Sequence, residues 1–229
     1  MNNIEALDVV FSFFPKTLLE RLKKEGLYTP ILARKIKNGS QLYEHLSEEH
    51  SAIQDSDYSV LADDIAPYLK KGSVLQIGCG RGDLLFRLSE FDFAPIYGVD
   101  SGDVMLAKAR ERLADKEAYF FNSKIEEFDL SMIGETDNVV MNNFWGMIGE
   151  KASIDLLNRL KKVLSAEGVI IIGEYISGIK SDERKKADKT LRDNLDFTFS
   201  YPFFNDFSSC GYKHKIVKLD NRDYYILHL

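Results

Sequence analysis

A chain of 229 residues with 45% hydrophobic side chains holds enough material for one well-buried core, or for one core and a small cap. Its 30 basic and 36 acidic side chains leave a net charge of -6 with no Lys/Arg tract, which argues against nucleic acid as a partner and for a small-molecule substrate. Cys79 and Cys210 make neither a disulfide framework nor a zinc pattern. No apolar run reaches the roughly 20 residues of a membrane span, and the amino terminus, interrupted by Glu5 and Asp8, lacks a basic n-region and a cleavage site. A cytoplasmic setting with no membrane partner is expected.

In chain order, apolar residues first recur at helical spacing: Ile4, Leu7, Phe11 and Phe14, then Leu18, Leu19 and Leu22, then Tyr58, Leu61, Ala62, Ile65 and Leu69. Pro15, Gly26, Pro30 and the Lys37–Ser40 stretch break these runs. Residues 1–70 therefore read as a helical cap or lid, and residues 71–229 as the main domain. From Val74 onward, short β-rich runs alternate with helical patterns, the sign of βαβ units and a parallel sheet. The strands fall at Val74–Ile77, Pro95–Val99, Ala118–Asn122, Asn138–Asn142 and Val169–Gly173; the helices between them at Asp83–Ser89, Asp103–Ala114 and Ser153–Leu164. Gly178–Asn194 is strongly charged and reads as a solvated helix and loop. The last two strands, "YKHKIVKL" and "DYYILHL", alternate polar with apolar and predict an antiparallel hairpin with one wet face. His214 and His228 lie in that hairpin and read as structural.

The stretch "VLQIGCGRGDLL", Val74 to Leu85, places three glycines between a strand and a helix, at the carboxyl end of the first strand, where α/β sheets bind ligands. Missing Cβ atoms let a ligand approach the backbone there, and the exposed amides favour a negatively charged group. A second strand, "PIYGVD", ends in Asp100, about twenty residues on, the spacing at which an acid reaches the two hydroxyls of a ribose. Loop and acid together indicate adenosine. The dinucleotide fingerprint is G-x-G-x-x-G, whereas Gly78, Gly80 and Gly82 read G-x-G-x-G, which counts against a pyrophosphate cradle.

At these residues the chain resembles the class I, seven-stranded Rossmann-like, S-adenosylmethionine-dependent methyltransferases, of the type that acts on small molecules. "VLQIGCGRGDLL" follows the family's first motif, with Gln76 where Asp or Glu is usual; "YGVDSGDVMLAKARERL" matches its second strand and helix. "SKIEEF" sits where many members carry an acid facing the adenine amino group, so that Lys124 takes its place and Ile125 supplies the neighbouring amide. "DNVVMNNFWGMI", "LLNRLKKVLSAEGVIIIGEY" with Gly168, and "FNDFSSCGYKHKIVKLDNRDYYILHL" match the later motifs in order. The resemblance implies a mostly parallel seven-stranded sheet ending in an antiparallel hairpin, S-adenosylmethionine as cofactor, and methyl transfer to a small molecule at oxygen, nitrogen or carbon. It also implies a cofactor site drawn from Gln76, Gly78, Cys79, Gly80, Gly82, Asp100, Ser101, Met105, Lys124, Ile125 and Asn142. Two alternatives share the loop: an NAD(P)-dependent oxidoreductase, disfavoured by the glycine spacing and the terminal hairpin, and a module that binds the cofactor without transferring anything.

Methyl transfer needs acceptor, methyl and sulfur in line and water excluded, with no metal required. Phe144 and Trp145, just past the fourth strand, are placed for cation–π contact with a sulfonium, and Asn142 and Asn143 offer amides at the same end. With Tyr43 and Tyr175, residues Asn143, Phe144 and Trp145 form the expected acceptor side. For a hydroxyl or ammonium acceptor the candidate bases are His45, His50 and Glu174. His45 and His50 stand near Glu44, Glu48 and Glu49 but form no helical i, i+4 pair, so no metal site is expected.

Overall fold

The computed structural model describes residues 1–11, 20, 23, 24, 26, 28–39, 41, 42, 45, 58–174, 182–197, 204–219 and 222–229. The chain divides into two compact units, one of residues 1–54 and 175–201, the other of residues 55–174 and 202–229.

In the first unit, helix α1 (Asn3–Val10) opens with a capping box: the Glu5 amide donates to Asn2 Oδ1 at 2.9 Å, and the Asn2 amide to Glu5 Oε2 at 2.8 Å. Pro30, expected as a break, instead sits inside the short helix α2 (Tyr28–Leu32), because proline in the first turn forfeits only an amide that has no helical partner there. The rings of Phe11, Tyr28 and Phe197 pack together, and the Tyr28 hydroxyl donates to Asp8 at 2.9 Å. The charged segment expected to be solvated forms a helix over Asp182–Leu195 that packs on α1. Ala187, Leu191 and Leu195, at i, i+4 and i+8, are buried and line one face under a charged exterior.

The second unit carries a seven-stranded sheet in the order β3-β2-β1-β4-β5-β7-β6. Strands β1 (Val74–Ile77), β2 (Ile96–Asp100), β3 (Ala118–Asn122), β4 (Thr136–Asn142) and β5 (Leu164–Glu174) run parallel. β7 (Arg222–His228) is antiparallel to both β5 and β6 (Lys213–Leu219), so the expected α/β sheet with a terminal hairpin is what forms. Helix α3 (Ser59–Ile65) buries Leu61, Ala62 and Ile65, and α4 (Asp83–Ser89) buries Leu84, Leu85 and Leu88, in one core with Val74, Ile96, Val140 and Ile171 of the sheet. Helix α5 (Asp103–Arg112) adds Leu106 to that core. The strand order reverses between β1 and β4, and α6 (Glu150–Leu160) connects β4 to β5.

Two further local readings differ from the structure. The helix expected over Ser153–Leu164 spans Glu150–Leu160 instead, and Leu164 already pairs with Thr136 in the sheet. The apolar residues Val163 and Leu164 continue the helical period by coincidence, and tertiary pairing overrides it. In the terminal hairpin the wetness divides by strand: Tyr224 to Leu227 of β7 are all buried, whereas β6 is largely exposed. β7 lies inside the sheet and β6 is its edge, where Lys213, Lys215 and Lys218 discourage pairing with another chain.

Candidate functional site

β1, β2 and β4 are neighbours, so their carboxyl ends bring Gln76, the glycine loop, Asp100 and Asn142 to one edge of the sheet, at the point where the strand order reverses. The loop turns sharply off β1: the amides of Gly78 and Cys79 both donate to the Val99 carbonyl, at 2.8 and 3.2 Å.

The three glycines serve three different purposes. A Cβ on Gly78 would lie 2.5 Å from Cδ2 of Phe144, so this glycine admits an aromatic ring. A Cβ on Gly82 would lie 3.0 Å from Leu113 and 3.1 Å from Ala109 Cβ, so this one lets the loop pack on α5 and its C-cap. Gly80, with φ of +52°, has nothing among the described residues within 4 Å of the missing Cβ. Of the three, Gly80 alone leaves open space, and a ligand can use it.

Asp100 closes the other side. Its carboxylate accepts the Gly80 amide at 2.7 Å and the Gly102 amide at 2.9 Å, which ties the acid to the open glycine. Burial pushes the Asp100 carboxyl above its ordinary range, against the amides of Gly102, Gly80 and Ser101, which favour the ionised form. A carboxylate has about four lone-pair sites, so two oxygens engaged by backbone amides can still accept ribose hydroxyls. Gln76 supplies the second polar feature: the side chain is 4% exposed and its Oε1 is buried without a hydrogen-bond partner among the described residues. A buried acceptor left unpaired costs about 1–3 kcal/mol, and a ligand donor would recover that cost.

The remaining expected residues are placed as follows. Met105 is buried beside Gly102, with its Cγ 3.4 Å from where a Gly102 Cβ would stand. The Lys124 side chain is exposed, while its carbonyl accepts the amides of Glu127 and Phe128, both at 3.0 Å; Ile125 is buried. Asn142 pairs with Gly173, and Asn143, in the left-handed region at φ of +54°, donates its amide to the Gly173 carbonyl at 2.8 Å. His45 is a partly exposed helical residue. Tyr43, His50, Tyr175 and the Glu174 side chain lie outside the described residues.

Two side chains stand apart from the site. Cys79 turns into the core, where its Sγ would be 2.8 Å from a Cβ on Gly98, and burial pushes its thiol well above the ordinary range, so only its backbone borders the loop. Trp145 is 1% exposed, packs on Phe207 and donates its indole N–H to the Phe204 carbonyl at 2.8 Å. Its face and its donor are both used by the protein, so of the two aromatic candidates only Phe144 borders the glycine loop. Arg159 escaped the sequence reading: in α6, four residues after Asp155, it has the spacing of an ordinary surface ion pair. Its guanidinium instead reaches across to the carbonyls of Ile125 and Phe128. No signal in the sequence distinguishes the two.

Among the described residues no group of three or more His, Cys, Asp or Glu is placed to hold a metal ion, and no helix is long and apolar enough to cross a membrane. No curated protein compared with the chain matches it. Among solved structures, one from Nostoc punctiforme PCC 73102 assigned as an O-methyltransferase is 16% identical with a TM-score of 0.65, covering 99% of this chain and 71% of that one. An O-methyltransferase family protein from Burkholderia thailandensis is 10% identical with a TM-score of 0.59, covering 82% and 59%. The DhpI-SAM-HEP complex is 16% identical with a TM-score of 0.58, covering 83% and 96%. At these identities the likeness is one of fold, and the fold is that of the seven-stranded, Rossmann-like methyltransferases. A family model described as a methyltransferase domain matches residues 69–226, from just ahead of β1 to the last strand, and by that match the chain belongs to the methyltransferase domain family.

Proposed function

We propose that the protein transfers the methyl group of S-adenosylmethionine to a small-molecule acceptor in a cytoplasmic setting, with no nucleic acid partner. The observation that carries this reading is the bond between Asp100 and the Gly80 amide, which joins a ribose-binding acid to the one loop glycine that opens onto free space. The residues fit the cofactor at both ends. Asp100 accepts the ribose hydroxyls, and the unpaired Gln76 Oε1 accepts from the ammonium of the methionine part. Ile125 offers its amide to the adenine, beside Ser101, Met105 and Lys124.

When bound, S-adenosylmethionine supplies a methyl group on a positively charged sulfur, open to in-line displacement. The chain contributes alignment and exclusion of water. Gly78 and Gly82 fix the loop by packing and Phe144 covers its first turn; Asn142, at the end of β4, is proposed for the cofactor and Asn143 for the acceptor side. A base for a hydroxyl or ammonium acceptor is proposed among His45, His50 and Glu174, and Tyr43 and Tyr175 are proposed as acceptor-side residues. Of the helical segment of residues 1–70, the part that precedes α3 is proposed as the cap that selects the acceptor.

The test compares thermal stabilisation by S-adenosylhomocysteine with that by NADH, then incubates the protein with methyl-labelled S-adenosylmethionine and an extract of small molecules. Stabilisation by S-adenosylhomocysteine and label in a small-molecule product are expected. A shift with NADH alone would overturn the reading.

A further inference from the structure

We propose that Arg159 is a positioning residue for the adenine side of the donor site, acting through the backbone of residues 123–128; the inference rests on the reading of Ile125 given above. This segment follows β3 and is pinned at its start to the ribose acid itself, through the Ser123 amide donating to the Asp100 carbonyl at 3.0 Å. Its end is pinned by Phe128, whose ring packs on Phe121 with centroids 5.0 Å apart. Between these anchors two successive peptide groups are fixed. The Lys124 carbonyl accepts the Glu127 and Phe128 amides, and because the peptide unit is planar and trans, the Ile125 N–H in the same unit points away from that turn. The next carbonyl, that of Ile125, accepts from Arg159 Nη1 at 2.9 Å, while Nη2 of the same guanidinium donates to the Phe128 carbonyl.

Ile125 and Phe128 are both buried, so these carbonyls have little access to water and depend on a protein donor. One rigid planar fork serves both; a lysine ammonium is a single point that can serve only one well. Asp155, 3.6 Å from Nη1 and one helical turn back, holds the fork at the level of the loop. Arg159 thus sets where the Ile125 amide stands. The ring nitrogen beside the amino group of adenine accepts from such an amide, whereas in hypoxanthine that nitrogen carries a hydrogen. The amide's position therefore determines a preference between the two bases.

The experiment measures binding of S-adenosylhomocysteine and of its inosine analogue by titration calorimetry to the full chain, to Arg159→Lys and to Arg159→Met. The native protein is expected to favour the adenine ligand by about tenfold. In Arg159→Met the preference falls below about twofold, and Arg159→Lys lies between. A purely structural role would lower the melting temperature and leave the preference intact; folded variants that keep the native preference overturn the proposal. Should Arg159→Met fail to fold, the lysine variant decides. Native protein that binds both ligands equally removes the Ile125 assignment and this proposal with it, while native protein that binds neither removes the donor reading itself.

Discussion

Gln76 and Asn138 are two buried amides on adjacent strands, one near the carboxyl end of β1 and the other near the amino end of β4. Asn138 is fully buried and fully bonded: its Nδ2 donates to the carbonyls of Lys70 at 2.8 Å and Ser73 at 2.9 Å, and its Oδ1 accepts the Lys70 amide at 2.8 Å. Around it, Asp137 accepts from the Ser73 amide, the Ser73 hydroxyl and the Ser165 hydroxyl. The Gln76 Oε1, equally shut from water, has no partner among the described residues. The amino edge of the sheet spends its polar groups on the fold, and the carboxyl edge holds an acceptor back. This contrast separates scaffold from site more sharply than burial or residue type does.

The contrast can be broken most forcefully at Asn138. Asn138→Ala strands buried backbone groups and is expected to cost about 2–4 kcal/mol of stability, roughly 5–15 °C in Tm by calorimetry, with unchanged affinity for S-adenosylhomocysteine in the folded protein. Equal loss of affinity would erase the division between the two edges.

At Asp100 the weight shifts to binding. Asp100→Ala is expected to lose about 1.5–3 kcal/mol of affinity for S-adenosylhomocysteine, roughly ten- to hundredfold, by titration calorimetry. Since burial raises the Asp100 pKa on folding, its contribution to the stability of the free protein is full below the unfolded value and is lost as pH rises through the folded one. Binding runs the other way, because ribose hydroxyls need the ionised acceptor. Affinity therefore falls with acid through a midpoint above the usual carboxylate range, and Asp100→Asn removes that dependence.

Gln76→Met sharpens the comparison from the opposite side. Replacing an unpaired buried acceptor by an apolar chain of similar length is expected to raise the stability of the free protein by about 1 kcal/mol and weaken S-adenosylhomocysteine by roughly five- to tenfold. A destabilised variant with native affinity would mean that Gln76 belongs with Asn138. The smallest effect is at Lys124, whose exposed side chain stands apart from the carbonyl that the loop uses: Lys124→Ala should change affinity by less than about twofold.

Much of this molecule is legible locally. Apolar alternation and helical periods locate all seven strands, the pairing of "GCGRG" with Asp100 indicates adenosine, and the early third glycine separates this loop from a dinucleotide cradle. Those signals work because they depend on residues a few positions apart, or on spacings that one βαβ unit fixes. What the tertiary structure alone decided is how each group is satisfied. The three glycines look equivalent in sequence, yet Phe144, Ala109 with Leu113, and open space answer them separately. Trp145 and Phe144 are neighbours, yet Phe204 and Phe207 claim the first and leave the second at the loop. Asn138 finds its partner 68 residues away, Arg159 finds its carbonyls 31 and 34 residues away, and the Gln76 Oε1 finds none among the described residues. Hydrogen bonding of a buried group depends on whatever the fold brings against it, and side-chain type and local period carry no record of that.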